Sequence, residues 1–167
     1  MNKTRKILAT GLSVFALGAL SLGFSACAEK DLAYRLSADG EYYVVAGIGE
    51  YDKADVVVKS TYNGKPVKEI RYEAFDYYEN MRSITIPDSV TSIGEHAFAY
   101  CKNLESISFG NGLESIETEA FLGCGKLTSL SFGNGLTSIG EHAFGYCAKL
   151  QSVEFGNSQA SIRGAGV

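Results

Sequence analysis

Residues able to do chemistry recur in this chain at an interval of 23. Cys101, Cys124 and Cys147 form one column, and Glu73, His96, Glu119 and His142 form another. Neighbouring thiols can oxidise to a disulfide, and thiol, imidazole and carboxylate are all metal donors. Three cysteines cannot all pair, however, and in register their side chains point the same way. Free core thiols are therefore the first expectation and one disulfide between neighbours the second. No fourth ligand converges on this ladder, so no metal is expected there. In the acid and imidazole column the carboxylates could raise the histidine pKa values or loosely hold a divalent ion. Because each position precedes an apolar Ala-Phe pair, a solvated charge ladder of little energetic weight is expected instead. Serines are plentiful, but neither histidine is in register with them, so no nucleophile and base, no enzymatic activity and no cofactor are expected. Gly110-Asn111-Gly112 and Gly133-Asn134-Gly135 lack a following P-loop Lys-Ser/Thr and are expected to be turns that use residues tolerant of positive φ.

The elements that position these columns follow from the same period. Ile70, Ile93, Ile116 and Ile139 are each followed four and five residues later by Ala-Phe, at Ala74-Phe75, Ala97-Phe98, Ala120-Phe121 and Ala143-Phe144. Further apolar columns are Met81, Leu104, Leu127 and Leu150; Ile84, Ile107, Leu130 and Val153; and Ile86, Phe109, Phe132 and Phe155. The alternation in Ile107-Ser108-Phe109 predicts a short strand with its serines outward. Ala120, Phe121 and Cys124 have the i, i+1, i+4 spacing of one buried face of a short helical turn. One such coil cannot bury both its strand and its turn, and stacking supplies each inward column with a like neighbour at about 4.8 Å. The phenylalanines of the Ala-Phe pairs should then form a continuous spine, each contributing roughly 1.5 to 3 kcal/mol on burial.

A period of 20 to 29 with a Leu-x-x-Ile-x-Phe strand is the signature of a leucine-rich-repeat solenoid. The strings VTSIGEHAFAYCKNLESISF and LTSIGEHAFGYCAKLQSVEF resemble the BspA-like class of bacterial leucine-rich repeats, found in surface antigens. The predicted fold is an α/β repeat: a right-handed solenoid with short parallel strands on the concave face, short helical turns on the convex face and a small N-terminal β cap. The segment VVVKSTYNGKPVKEI is similar to the start of many such arrays, and Asp39-Gly40 upstream is a hairpin signal. The predicted domains are a signal peptide over 1–26, a β-rich cap with the first repeat-like strand over 27–66, and a solenoid of about four coils over 67–167, ending in an incomplete fifth. Gly166 and Val167 stand where Ala-Phe would complete that coil, so self-association through an uncapped C-terminal edge, a truncated array or a coil closed some other way are all expectations.

The outward strand positions define the candidate concave binding face. They are Arg82, Glu105, Thr128 and Gln151; Ser83, Ser106, Ser129 and Ser152; and Thr85, Ser108, Ser131 and Glu154. This face is hydroxyl-rich and nearly free of the aromatic residues that dominate tight interfaces. Tyr77, Tyr78, Tyr100 and Tyr146 cluster elsewhere and form a possible second surface.

The N-terminus carries an address. MNKTRK is a basic start, and residues 7–22 are an apolar run too short to span a bilayer comfortably. Phe24-Ser25-Ala26-Cys27 resembles a bacterial lipobox, with Phe24 in place of the more usual Leu. That resemblance implies diacylation of Cys27 and a lipid anchor; ordinary secretion with cleavage near Ala26 or Ala28 is the alternative. The chain has 167 residues, 46% of them hydrophobic and two of them proline, which excludes a disordered or collagen-like chain. Its formal charge is −4, and removal of Lys3, Arg5 and Lys6 leaves 12 basic residues against 19 acidic, so nucleic acid is not an expected partner. The BspA-like resemblance implies a lipid-anchored surface module that binds other proteins, such as host surface or matrix components. A structural scaffold in the cell envelope, or a repeat fragment with no dedicated ligand, is the alternative.

Overall fold

The computed structural model describes residues 30–157 and 160–162. The expected signal segment, Cys27, and Gly166 and Val167 lie outside the described residues. The strands are β1 (Ala33–Leu36), β2 (Tyr43–Gly47), β3 (Asp55–Val57), β4 (Thr61–Tyr62), β5 (Lys65–Ile70), β6 (Ser83–Ile86), β7 (Ser92–Ile93), β8 (Ser106–Phe109), β9 (Ser115–Ile116), β10 (Ser129–Ser131), β11 (Ser138–Ile139), β12 (Ser152–Glu154) and β13 (Ser161–Ile162).

They form a β-solenoid with two strand rows. In the first row β3, β6 and β8 pair in parallel, with Ser83 opposite Ser106 and Ile84 opposite Ile107, and β10 pairs in parallel with β12. In the second row β5, β7, β9, β11 and β13 pair in parallel through two-residue strands, with Ile70, Ile93, Ile116 and Ile139 in one line. Upstream, β1 and β2 form an antiparallel hairpin, and β2 runs parallel to β5, which seats the hairpin on the first coil. The hairpin turn has Gly40 at φ 76° and Asp39 accepting from the Ser37 hydroxyl (2.6 Å) and the Glu41 amide (3.0 Å).

The spine forms as the period demands. Phe75, Phe98, Phe121 and Phe144 are buried and stack face to face, with centroids 5.1, 4.9 and 5.4 Å apart and planes within 13°. A second ring row, Phe109, Phe132 and Phe155, lines the strand side at 4.7 and 5.6 Å.

The expected helical turns are not there: among the described residues none is helical, and the Ala-Phe segments run as successive turns. The physical reason is backbone geometry. Glu73, His96, Glu119 and His142 have φ of 52 to 55°, and Tyr77, Tyr100 and Tyr146 have φ of 54 to 57°. A left-handed residue every fourth position interrupts a right-handed helix. It also frees alternate amides to bond along the solenoid axis. Phe75, Phe98 and Phe121 donate to the carbonyls of Ala97, Ala120 and Ala143, each at 2.8 Å, in place of intrahelical acceptors.

The Gly-Asn-Gly turns differ from expectation in a related way. None of Gly110, Asn111, Gly112, Gly133, Asn134 or Gly135 has positive φ. Glycine is needed there for close approach between coils: a Cβ on Gly112 would lie 1.9 Å from the Asp88 carbonyl oxygen.

Truncating the spine at its centre tests this packing. Phe121→Ala should cost about 3 to 5 kcal/mol, since its neighbours are held in register and cannot collapse onto the cavity. An unchanged urea midpoint would show that the ring is not buried.

Candidate functional site

The strand face is built by alternation. In β6, Ile84 and Ile86 point into the core, so Ser83 and Thr85 point out, and the same holds in each later strand. Ser83 is half-buried; Arg82, Thr85, Glu105, Ser106, Ser108, Thr128, Ser129, Ser131, Gln151, Ser152 and Glu154 are all exposed. The pairing puts Ser106 beside Ser83 and Ser108 beside Thr85, and it likewise aligns Ser152 with Ser129 and Glu154 with Ser131. It does not join the two sets, because the first row divides between β8 and β10. Polar contacts on the face are few. Ser131 donates to Glu154 at 3.5 Å, and the Lys126 ammonium lies 4.0 Å from Glu105. Among the described residues Arg82 has no carboxylate partner.

The candidate face omits one rung, the outward residues of the first repeat-like strand. Asp55 and Val57 lie in register with Ser83 and Thr85, and the Ser83 hydroxyl donates to Asp55 at 2.6 Å. The hairpin of β4 and β5, turning at Asn63-Gly64, lengthens this coil, so Asp55 stands 28 residues before Ser83 and escapes a search at 23. The string Val56-Val57-Val58 signals the strand but not which of its residues face outward, because all three are apolar.

The remaining candidates serve the stack. Cys101, Cys124 and Cys147 are free, buried thiols whose Sγ–H groups donate to the carbonyls of Phe75, Phe98 and Phe121 at 3.1 to 3.2 Å. Burial pushes the Cys101 thiol up to about 12, and contact with Cys147 together with burial holds Cys124 well above the usual thiol range. Neither offers a thiolate nucleophile. In the acid and imidazole column one contact forms, His96 Nε2 to Glu119 Oε2 at 2.7 Å. His142 is exposed, and among the described residues no three metal-ligating groups converge. Each Gly-Asn-Gly turn is tied to a different turn one coil away: the Asn111 backbone amide donates to the Asp88 carboxylate (2.7 Å), and the Asn157 backbone amide donates to the Asn134 side-chain oxygen (2.9 Å).

Two tyrosines stand out on the turn side. Tyr77 is 60% and Tyr146 85% exposed, and Tyr77 stacks on Tyr100 at 4.8 Å. Gly123 occupies the same column at φ 71°, and the Tyr100 ring lies against it where a Cβ would be 2.7 Å away.

Asp76 is the one strained polar group nearby. One of its carboxylate oxygens is buried without a partner, and desolvation, then the Glu73 charge, raise its pKa against the opposing pull of His96.

Against known proteins, residues 68–165 match the model of the BspA type leucine rich repeat region in six copies. Among solved structures, a T. pallidum leucine rich repeat protein is 31% identical with a TM-score of 0.76, over 81% of this chain and 62% of that one. A leucine-rich repeat protein from Bacteroides ovatus is 25% identical (TM-score 0.66), over 78% of this chain and 41% of that one. The pneumococcal vaccine antigen PcpA is 25% identical (TM-score 0.61), over 80% and 41%. The chain thus spans less than two thirds of the length of each of these three. No curated protein matches it in sequence.

The raised Asp76 pKa has a definite sign. A carboxyl whose folded pKa lies above its unfolded value contributes stability while protonated; that contribution is complete below the ordinary carboxylate value and is lost as pH rises through the raised one. Asp76→Asn, neutral at every pH, should therefore raise the melting temperature at pH 7 and change it little near pH 3. An equal shift at both pH values would mean that charge is not the cause.

Proposed function

The chain belongs to the BspA type leucine rich repeat family, and from that premise we propose that it is a non-enzymatic, lipid-anchored cell-surface protein that binds other proteins through the strand face of its solenoid. The observation that carries this reading is the strand face itself. Its outward positions are polar across four coils and all but Ser83 are exposed, while Cys101, Cys124 and Cys147 are buried and His96 is paired with Glu119. A surface of this kind recognises by shape and by many hydrogen bonds to hydroxyls, not by one anchored pocket. Four coils make a small interface without aromatic anchors, so each copy binds modestly and adhesion relies on many copies displayed on one cell. The likeness to PcpA, a pneumococcal vaccine antigen, supports this reading, since a protein used as a vaccine antigen must be reachable by antibodies. The anchor rests on Cys27 after the apolar run, where the acyl chains of a lipoprotein, at about 0.8 kcal/mol per buried methylene, would hold the chain at the membrane.

The scarcity of aromatic and arginine side chains on the strand face favours one second reading, an envelope scaffold without a dedicated ligand. Protease treatment of intact cells separates the two: loss of the protein supports display, and survival supports a scaffold facing inward.

Two experiments test the proposal. The chain is used as bait against extracellular-matrix and cell-surface proteins beside a variant carrying Ser106→Arg, Ser129→Arg and Ser152→Arg, whose fold is checked by circular dichroism. Binding by the native chain that falls at least about tenfold in the variant is expected, because three added cations crowd one column. Equal binding by both would move the site to the Tyr77 and Tyr146 side or the C-terminal edge, and no binding by either would support the scaffold. For the anchor, Cys27→Ala should shift the protein from the membrane fraction to the soluble fraction, and unchanged membrane retention would rule out lipidation at Cys27.

A further inference from the structure

Ile107 and Phe109 lie in the middle of the array, yet both are only half-buried. Their counterparts one coil earlier, Ile84 and Ile86, and one coil later, Leu130 and Phe132, are buried. Chain ends should expose a core column before its centre does, so the exposure needs a local cause.

The backbone supplies it. Adjacent coils are closed on the strand side by Glu105 N–H to the Arg82 carbonyl (2.8 Å), Gly110 N–H to the Ile86 carbonyl (2.8 Å) and Phe132 N–H to the Glu154 carbonyl (2.8 Å). Shifted by one repeat, the first two bonds would run from Thr128 N–H to Glu105 and from Gly133 N–H to Phe109. Among the described residues neither forms, and β8 and β10 belong to separate sheets. On the other side of the same two coils nothing is missing. Ser115 and Ile116 pair with Ser138 and Ile139, Gly140 N–H reaches the Ile116 carbonyl at 2.8 Å, and Phe121 N–H reaches Ala143 at 2.8 Å.

We propose that the slit between β8 and β10 is a hinge. The coils before and after it swing about the continuous second strand row, which opens and closes the strand face and changes its curvature. The unpaired amides and carbonyls along the slit are solvated when it widens, so opening breaks no backbone bond there. Side chains meet across it: Phe109 and Phe132 at 4.7 Å and 36°, not in the near-parallel stack of the spine, and Lys126 and Glu105 as an exposed pair at 4.0 Å. Elsewhere the rows are bonded on both sides, so bending is confined to one place, as hinge motions are. The slit divides the surface assigned above to partner binding, and its opening would fit that surface to partners of different width. The inference itself rests on the backbone alone and holds whether or not that surface binds anything.

Nuclear magnetic resonance of the full chain tests it without a ligand. The amides of Thr128 and Gly133 should exchange with solvent about a hundredfold faster than those of Glu105 and Gly110, which occupy equivalent positions with their bonds made. Relaxation dispersion on the microsecond to millisecond scale should appear in residues 105–110 and 128–133 and be absent from β9 and β11. Fast exchange without dispersion would indicate a fixed gap and overturn the hinge. Equal protection across both sets would overturn the slit as well.

Discussion

Each coil of this protein is unstable alone, because its strand and its turn each expose an apolar side that the other cannot cover. What resolves this is a set of backbone bonds along the axis, from the amides of Phe75, Phe98 and Phe121 to the carbonyls of Ala97, Ala120 and Ala143. These bonds fix the spacing between coils near 5 Å, the distance at which phenyl rings stack in contact. Register and core packing therefore enforce one another. A coil displaced by one residue would lose its bonds and set its phenylalanine opposite a neighbour's alanine, leucine or glycine in place of a ring.

That coupling explains the left-handed residues. Successive amides of a helix all point along its own axis, whereas a coil must send some amides to the next coil and keep the others in its own turns. Placing Glu73, His96, Glu119 and His142 at positive φ achieves the alternation, at a conformational cost that neighbouring coils offset by holding each residue from both sides. The acid and imidazole column thus occupies a position whose first requirement is a backbone shape. Its side chains are tolerated variables, which accounts for a ladder in which a single close contact, between His96 and Glu119, forms. The cysteines obey the same rule from the inside, capping the carbonyls of the phenylalanine spine with weak S–H donors.

Much of this was legible in the residues. The 23-residue columns, the inward and outward alternation of the strands and the stacked spine follow from periodicity, because burial is what periodicity encodes. The turn side was not legible, since Ala120, Phe121 and Cys124 present the same buried spacing whether amides bond within a helix or across to a neighbour. Gly112 was assigned the right element for the wrong reason: it is small to admit the Asp88 carbonyl, not flexible to reach positive φ. Asp55 and Val57 were left out of the strand face, because the inserted hairpin takes the first repeat-like strand off the 23-residue register. The slit was invisible because Ile107 and Phe109 repeat the side-chain types of their column.

The distribution of polarity follows from repetition. A solenoid presents each strand-face position several times at one spacing, and where the residue is kept, as in Ser83, Ser106, Ser129 and Ser152, like side chains stand side by side. Charges of one sign would then repel along the column, and large aromatic residues would tend to stack on each other and form an adhesive ridge, as Tyr77 and Tyr100 do on the turn side. Short hydroxyl side chains avoid both outcomes. They keep the face hydrated and soluble while leaving donors and acceptors in a regular array, and selectivity must then come from how well a partner matches the curvature and spacing of that array. For such a surface the geometry of the backbone beneath it carries more discrimination than the identity of any one serine, and a discontinuity in that backbone is where the discrimination can be adjusted.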